Sequence, residues 1–176
     1  QDTAAPLNVY GQSKLQAEQA IQATCSKYII LRTSWLFSEF GHNFYRTMLK
    51  LAQRGQIIQV VNDQFGCPTY AGDLAAAIVQ LLQRYQQQGS LAYGIYHFAG
   101  NPAVSWYQFA ETIFAAHQLK VNLQAIGSAN WPTQAVRPAN SVLDCNKFCD
   151  TFAIAIPQWQ AALQQLASGD CNDITA

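Results

Sequence analysis

The chain has 176 residues, half of them apolar, with ten basic and ten acidic side chains that cancel. That is enough material for a real core, and a zero net charge excludes electrostatic steering toward nucleic acid or an anionic membrane. No apolar run approaches the roughly 20 residues of a membrane span, and five scattered cysteines (Cys25, Cys67, Cys145, Cys149, Cys171) make no disulfide framework.

Residues 8–25 predict a first helix, with Leu15, Ala17, Ala20 and Ile21 at helical spacing. Residues 28–31 form a continuous apolar run, the pattern of a strand buried on both faces of a parallel sheet. A helix feeding such a strand predicts an α/β layer architecture. Residues 42–55 read as a second helix with Phe44, Met48 and Leu51 as its apolar stripe and Gly55 as its stop. A short strand over 56–61 and a loop over 62–70 follow. Asp73 is expected to cap the next helix, which ends near Gly89. "YGIYHFAG" predicts a strand, and Ser105 and Gln108 have capping-box spacing at the head of another helix. A strand over 121–126, an irregular proline-bearing stretch, a short helix from Asp144, a final helix over 157–167 and a frayed tail complete the chain.

Cys145 and Cys149 are four apart but lack the paired spacing of a zinc site, so the thiols read as reduced, in a cytoplasmic protein, and no metal is expected. The first helix carries the sharpest chemical signal. Tyr10 and Lys14 are four apart, about 6 Å along a helix and on one face. A free phenol holds its proton to about pH 10. A neighbouring ammonium favours the phenolate, so such a pair can serve as a general acid or base. A solvated surface pair is the competing reading.

Several strings taken together carry a resemblance. "APLNVYGQSKLQAE" closely resembles the catalytic helix of the extended short-chain dehydrogenase/reductases. "LRTSWLF", "VVNDQFGCPTYAGDLA", "YHFAGNPAVSWYQFA" and "AVRPANSVLDCNKF" are similar, in collinear order, to segments of the reductases of dTDP-L-rhamnose synthesis within that superfamily. The resemblance implies an incomplete Rossmann-type parallel sheet followed by an α/β substrate-binding portion. Residues 1–55 would belong to the dinucleotide-binding part and 56–176 mainly to the sugar-nucleotide part, with the strand at 94–98 returning to the Rossmann sheet.

It also implies a chemistry. NADPH, or NADH in some members, delivers hydride to C4 of a dTDP-4-dehydro-deoxysugar. Tyr10 protonates the alkoxide, and Lys14 holds the nicotinamide ribose and eases the tyrosine's proton loss. Trp35 matches a tryptophan that contacts the deoxysugar nucleotide, against a reading as a core residue at a strand end. The guanidinium of Arg137 suits a diphosphate, against a structural salt bridge. Arg32 either meets substrate or pairs with a carboxylate. Asp63 and Gln64 either reach substrate hydroxyls or form an Asx turn. His97 reads as a packed core residue, as do Trp106, Tyr107 and Phe109, while His42 and His117 have no nameable partner.

No G-x-G-x-x-G or related glycine-rich turn occurs in the sequence. That turn, and the family's catalytic serine or threonine, would lie upstream of Gln1. The chain is therefore expected to be the C-terminal part of a longer enzyme, inactive alone and homodimeric when whole. An epimerase or dehydratase of the same fold, and a non-catalytic regulatory subunit like that of methionine adenosyltransferase, remain open beside the reductase.

Overall fold

The computed structural model describes residues 3–131, 133 and 135–169. Asn8 opens helix α1 (Val9–Thr24), its side-chain oxygen accepting the Gly11 N–H at 2.9 Å. No residue of α1 is buried. The expected apolar stripe is thus corrected: Leu15 is half-buried, but Ala17, Ala20 and Ile21 face solvent. Two alanines offer too little apolar area to seat a helix. A polar tie holds it instead, since the Arg32 guanidinium donates to both Glu18 carboxylate oxygens, at 2.8 and 2.6 Å.

Strand β1 (Ile29–Arg32) precedes β2 (Leu36–Phe37), α2 (Phe44–Ala52), β3 (Ile58–Val61), β4 (Phe65–Gly66), β5 (Thr69–Tyr70) and α3 (Ala71–Gln88). Then come β6 (Gly94–His97), β7 (Val104–Ser105), α4 (Trp106–Ala116), β8 (Leu123–Ile126), a 3-10 turn (Ser128–Asn130), α5 (Asn146–Phe152) and α6 (Trp159–Ser168). The fold is α/β. β1 pairs with β6, β2 with β5 and β3 with β8, all parallel, whereas β4 and β7 are antiparallel. β1 was expected to be buried on both faces, yet all four of its residues are only half-buried. It has one strand partner among the described residues, and α1 places no fully buried residue against it. The 62–70 stretch, expected as loop, contains the two-residue strands β4 and β5. The expected tail lies outside the described residues apart from Ser168 and Gly169.

Two apolar cores form. The larger joins Phe37, Tyr45 and Met48 to Ile58, Val60, Phe109, Ile113, Trp159 and Leu163, so α2, α4 and α6 close over β3. The smaller joins Ala77 and Leu81 of α3 to Tyr96, Phe98, Phe148 and Phe152, with Ile29 and Leu31 packed at its side. Ser105 and Gln108 make the full capping box at the head of α4. Asp73 does not cap α3. The helix starts earlier, after Tyr70, which puts Asp73 in its first turn, where burial pushes the carboxyl's pKa up. Gly89 closes α3 in the left-handed region, at φ 72°.

Candidate active site

Tyr10 and Lys14 project from one face of α1, the Lys14 Nζ lying 5.4 Å from the Tyr10 ring centroid. Tyr10 is 72% exposed, and Lys14 is exposed too. Among the described residues neither the phenol nor the ammonium makes a hydrogen bond or ion pair. Both donors therefore remain available to something outside the chain.

The loop that carries Arg137 is stitched to this helix. The Asn8 amide nitrogen donates to the Val136 carbonyl at 2.9 Å. Further along, Phe65 N–H donates to the Ala139 carbonyl at 2.8 Å, and Ser141 N–H returns to the Phe65 carbonyl at 2.8 Å. Arg137 itself is exposed and has no ion-pair partner among the described residues. Arg32, by contrast, is committed to Glu18, which holds its pKa above the ordinary guanidinium value through that hydrogen bond.

Trp35 stands where β4 meets β7. Its indole stacks on Trp106, with ring centroids 3.5 Å apart and planes 9° off parallel. Gly66 lies close against the same indole, where a Cβ would overlap the Trp35 ring. Trp35 has φ 46°, a left-handed conformation that costs a bulky residue roughly 1–2 kcal/mol. Its neighbours hold it there. Ser34 donates to the Cys67 carbonyl at 2.9 Å, and Thr69 N–H donates to the Trp35 carbonyl at 3.1 Å. Trp35 is half-buried at the margin of the larger core, and Trp106 and Tyr107 sit there too, while Phe109 alone of that cluster is fully buried.

No hydrogen bond, ion pair or ring contact among the described residues joins Tyr10 directly to Trp35 or Arg137. The connection is indirect: the Asn8 side chain to Val136, the Arg137 loop to Phe65, and Phe65 to Gly66 against the indole.

Several expectations change. Asp63 makes no Asx turn; its carboxylate accepts the Ser128 N–H at 2.9–3.0 Å and the Ser128 hydroxyl at 2.6 Å, 65 positions away. Those bonds hold its pKa below the usual carboxylate value. Gln64 donates to the same Ser128 hydroxyl at 2.8 Å. Both side chains are thus engaged in fixing the 3-10 turn. His97 is half-buried rather than packed in a core, because it ends β6, and its Nδ1 lies 3.0 Å from the Asp144 carbonyl oxygen. His117 has a partner after all: its Nε2 is 2.9 Å from the Tyr45 hydroxyl, and burial lowers its pKa. Burial raises the thiols of Cys67 and Cys145, with Cys67 the more enclosed. Among the described residues no three His, Cys, Asp or Glu side chains are placed to hold a metal ion.

Sequence comparison identifies the setting of these residues. The profile of the RmlD substrate binding domain matches residues 1–170. The chain belongs to that family. The dTDP-4-dehydrorhamnose reductase of Aggregatibacter actinomycetemcomitans is 46% identical over 167 residues, covering 92% of this chain and 57% of that protein. Among solved structures, the dTDP-4-dehydrorhamnose reductase of Bacillus anthracis in complex with NADP superposes with a TM-score of 0.84 at 35% identity, over 92% of this chain and 55% of that one. A dTDP-4-dehydrorhamnose reductase from Clostridium acetobutylicum gives 0.85 at 32% identity, over 93% and 56%. The chain thus spans little more than half the length of these family members.

What sequence reasoning missed at the site is the wiring. Asn8 was read only as the start of the first helix, not as a donor to Val136, and Gly66 only as part of a loop, not as the residue packed against an indole.

Proposed function

We propose that the chain is the substrate-side part of an NADPH-dependent reductase that converts dTDP-4-dehydro-L-rhamnose to dTDP-L-rhamnose. Family membership and the names of its relatives support the substrate class. The observation that carries the chemistry is the Tyr10–Lys14 face: two donors on one helical turn, open to solvent and without a hydrogen-bond or ion-pair partner among the described residues. Such a face fits a nicotinamide ribose and a reacting carbonyl side by side. When bound, the nicotinamide supplies the hydride.

The chain's own residues do the rest. Tyr10 holds a proton at its phenol oxygen and delivers it to the sugar's C4 oxygen as negative charge develops there. Lys14 donates to a ribose hydroxyl and keeps a positive charge beside the phenolate left behind. Trp35 offers the deoxysugar the indole face turned away from Trp106, its plane held by that stack. Arg137 lays its guanidinium fork on the diphosphate. In this reading residues 1–55, with β6, serve the dinucleotide side, and 56–176 mainly serve the sugar nucleotide. A cytoplasmic location and a homodimer belong to the same proposal.

The test is an assay of the full-length protein with NADPH and dTDP-4-dehydro-L-rhamnose, following loss of nicotinamide absorbance and the product formed. Net oxidation with a dTDP-deoxyhexose product is expected. Conversion without cofactor consumption would assign an epimerase instead. Tyr10→Phe is expected to lower kcat by about a hundredfold or more while NADPH affinity stays within a few-fold. An unchanged kcat would move the acid elsewhere. The 176-residue chain alone is expected to show no turnover.

A further inference from the structure

The side chain of Asn8 touches both halves of the proposed site. Its amide is used at both ends: the oxygen accepts from Gly11 N–H at 2.9 Å and caps α1, and the nitrogen donates to the Val136 carbonyl at 2.9 Å. The orientation is forced, because only the oxygen can accept from a backbone N–H and only the nitrogen can donate to a carbonyl. Tyr10 sits two residues beyond Asn8, and Arg137 directly follows Val136. One planar group thus fixes the helix that carries the phenol against the loop that carries the guanidinium.

We propose that Asn8 is a positioning residue that sets the distance between the proton donor and the diphosphate contact. This rests on the reductase reading given above. The need for such a brace follows from the surroundings. α1 buries no residue, and Arg137 and its neighbours from Val136 to Asn140 are exposed, so packing fixes neither element against the other. The strap is otherwise tied at its far end, through Ala139 and Ser141 to Phe65. Losing the Asn8 bond frees the Arg137 end while leaving that anchor intact. Diphosphate binding then suffers more than proton transfer.

The side chain's two functions can be separated by substitution. Asn8→Asp retains an excellent cap acceptor but has no N–H to give, and sets a carboxylate oxygen against the Val136 carbonyl. Asn8→Ser keeps the cap and is too short to reach the loop. In the full-length protein, both variants are expected to raise KM for the sugar nucleotide about three- to tenfold, the scale of one hydrogen bond, with the loss falling on KM rather than kcat. Hydrogen exchange across 135–141 is expected to quicken in both, with α1 protection and the melting temperature held by the retained cap. If the wild-type protein oxidises NADPH with this substrate but Asn8→Asp changes neither KM nor exchange in the loop, the positioning role is wrong and the reductase reading survives. If both variants lose α1 protection and kcat together, Asn8 is only a cap and the proposal also fails. A full-length wild-type protein without turnover removes the reductase reading and this inference with it.

Discussion

Helices α1 and α4 are built in opposite ways. α4 buries Phe109, Ala110, Ile113 and Phe114 in the larger core and starts with a complete capping box. α1 is the longer helix, has no fully buried residue, and is held by an asparagine cap and one ion pair. Yet α1 carries the residues proposed to react, and α4 supplies Trp106, the wall against which Trp35 stacks. The molecule keeps its aromatic surface on a helix packed into the larger core and its polar reactive pair on a helix tied down by polar bonds. Such anchors leave the side chains Tyr10 and Lys14 uncovered, as a proton donor must be, at the cost of local stability.

That contrast can be broken at either end. The largest effect is expected from Phe109→Ala, which removes a ring with no exposure that touches Phe37, Phe44, Trp106 and Trp159. A loss of about 3–5 kcal/mol in urea unfolding is expected, with α1 exchange following the global transition. A loss under about 1 kcal/mol would mean that α4 is not the keystone of its core. Next comes the Glu18–Arg32 pair. Because both side chains retain some exposure, a double-mutant cycle is expected to give a coupling of only about 0.5–1 kcal/mol, decreasing with added salt. The sharper readout is local: Arg32→Met should quicken exchange in α1 and leave α4 protected. Equal changes in both helices would erase the distinction.

The smallest effect is a pH dependence confined to the α4 side. Burial lowers the pKa of His117 in the folded chain, while the unfolded chain binds its proton near pH 6.5. The sign follows from that difference. The contribution is fully present above about pH 6.5 and is lost as pH falls through the lowered folded value, because the unfolded state takes the proton first. Melting temperature should fall on acidification through this window, and His117→Gln should flatten that part of the profile. An unaltered slope would place the titration elsewhere.

The parts legible in the sequence were those written in local signals. Ser105 with Gln108, and Gly89 after a helical stretch, each marked an end that the structure keeps. The Tyr10–Lys14 spacing placed both groups on one face without any tertiary knowledge. Misreadings arose where burial depends on distant partners. An apolar run such as 28–31 carries no record of how many strands lie beside it. Asp63 could not announce Ser128, nor Asn8 announce Val136, because both contacts join segments far apart in the chain. Two-residue strands such as β4 and β5 are too short to show any period. Trp106 read as core, and it does pack there, but its stack on Trp35 depends on a glycine forty positions earlier.

The pairing of the strands has a consequence for how the chain reaches this state. Among the described residues no strand pairs with its neighbour in sequence: Ile29 lies opposite Gly94, and Ile58 opposite Leu123. Each parallel pair must close a long loop before it gains any ladder bonds, an entropic toll levied early in folding. During synthesis, β1 meets β6 and β3 meets β8 only after all of the intervening chain has left the ribosome, so closure of these two pairs comes late.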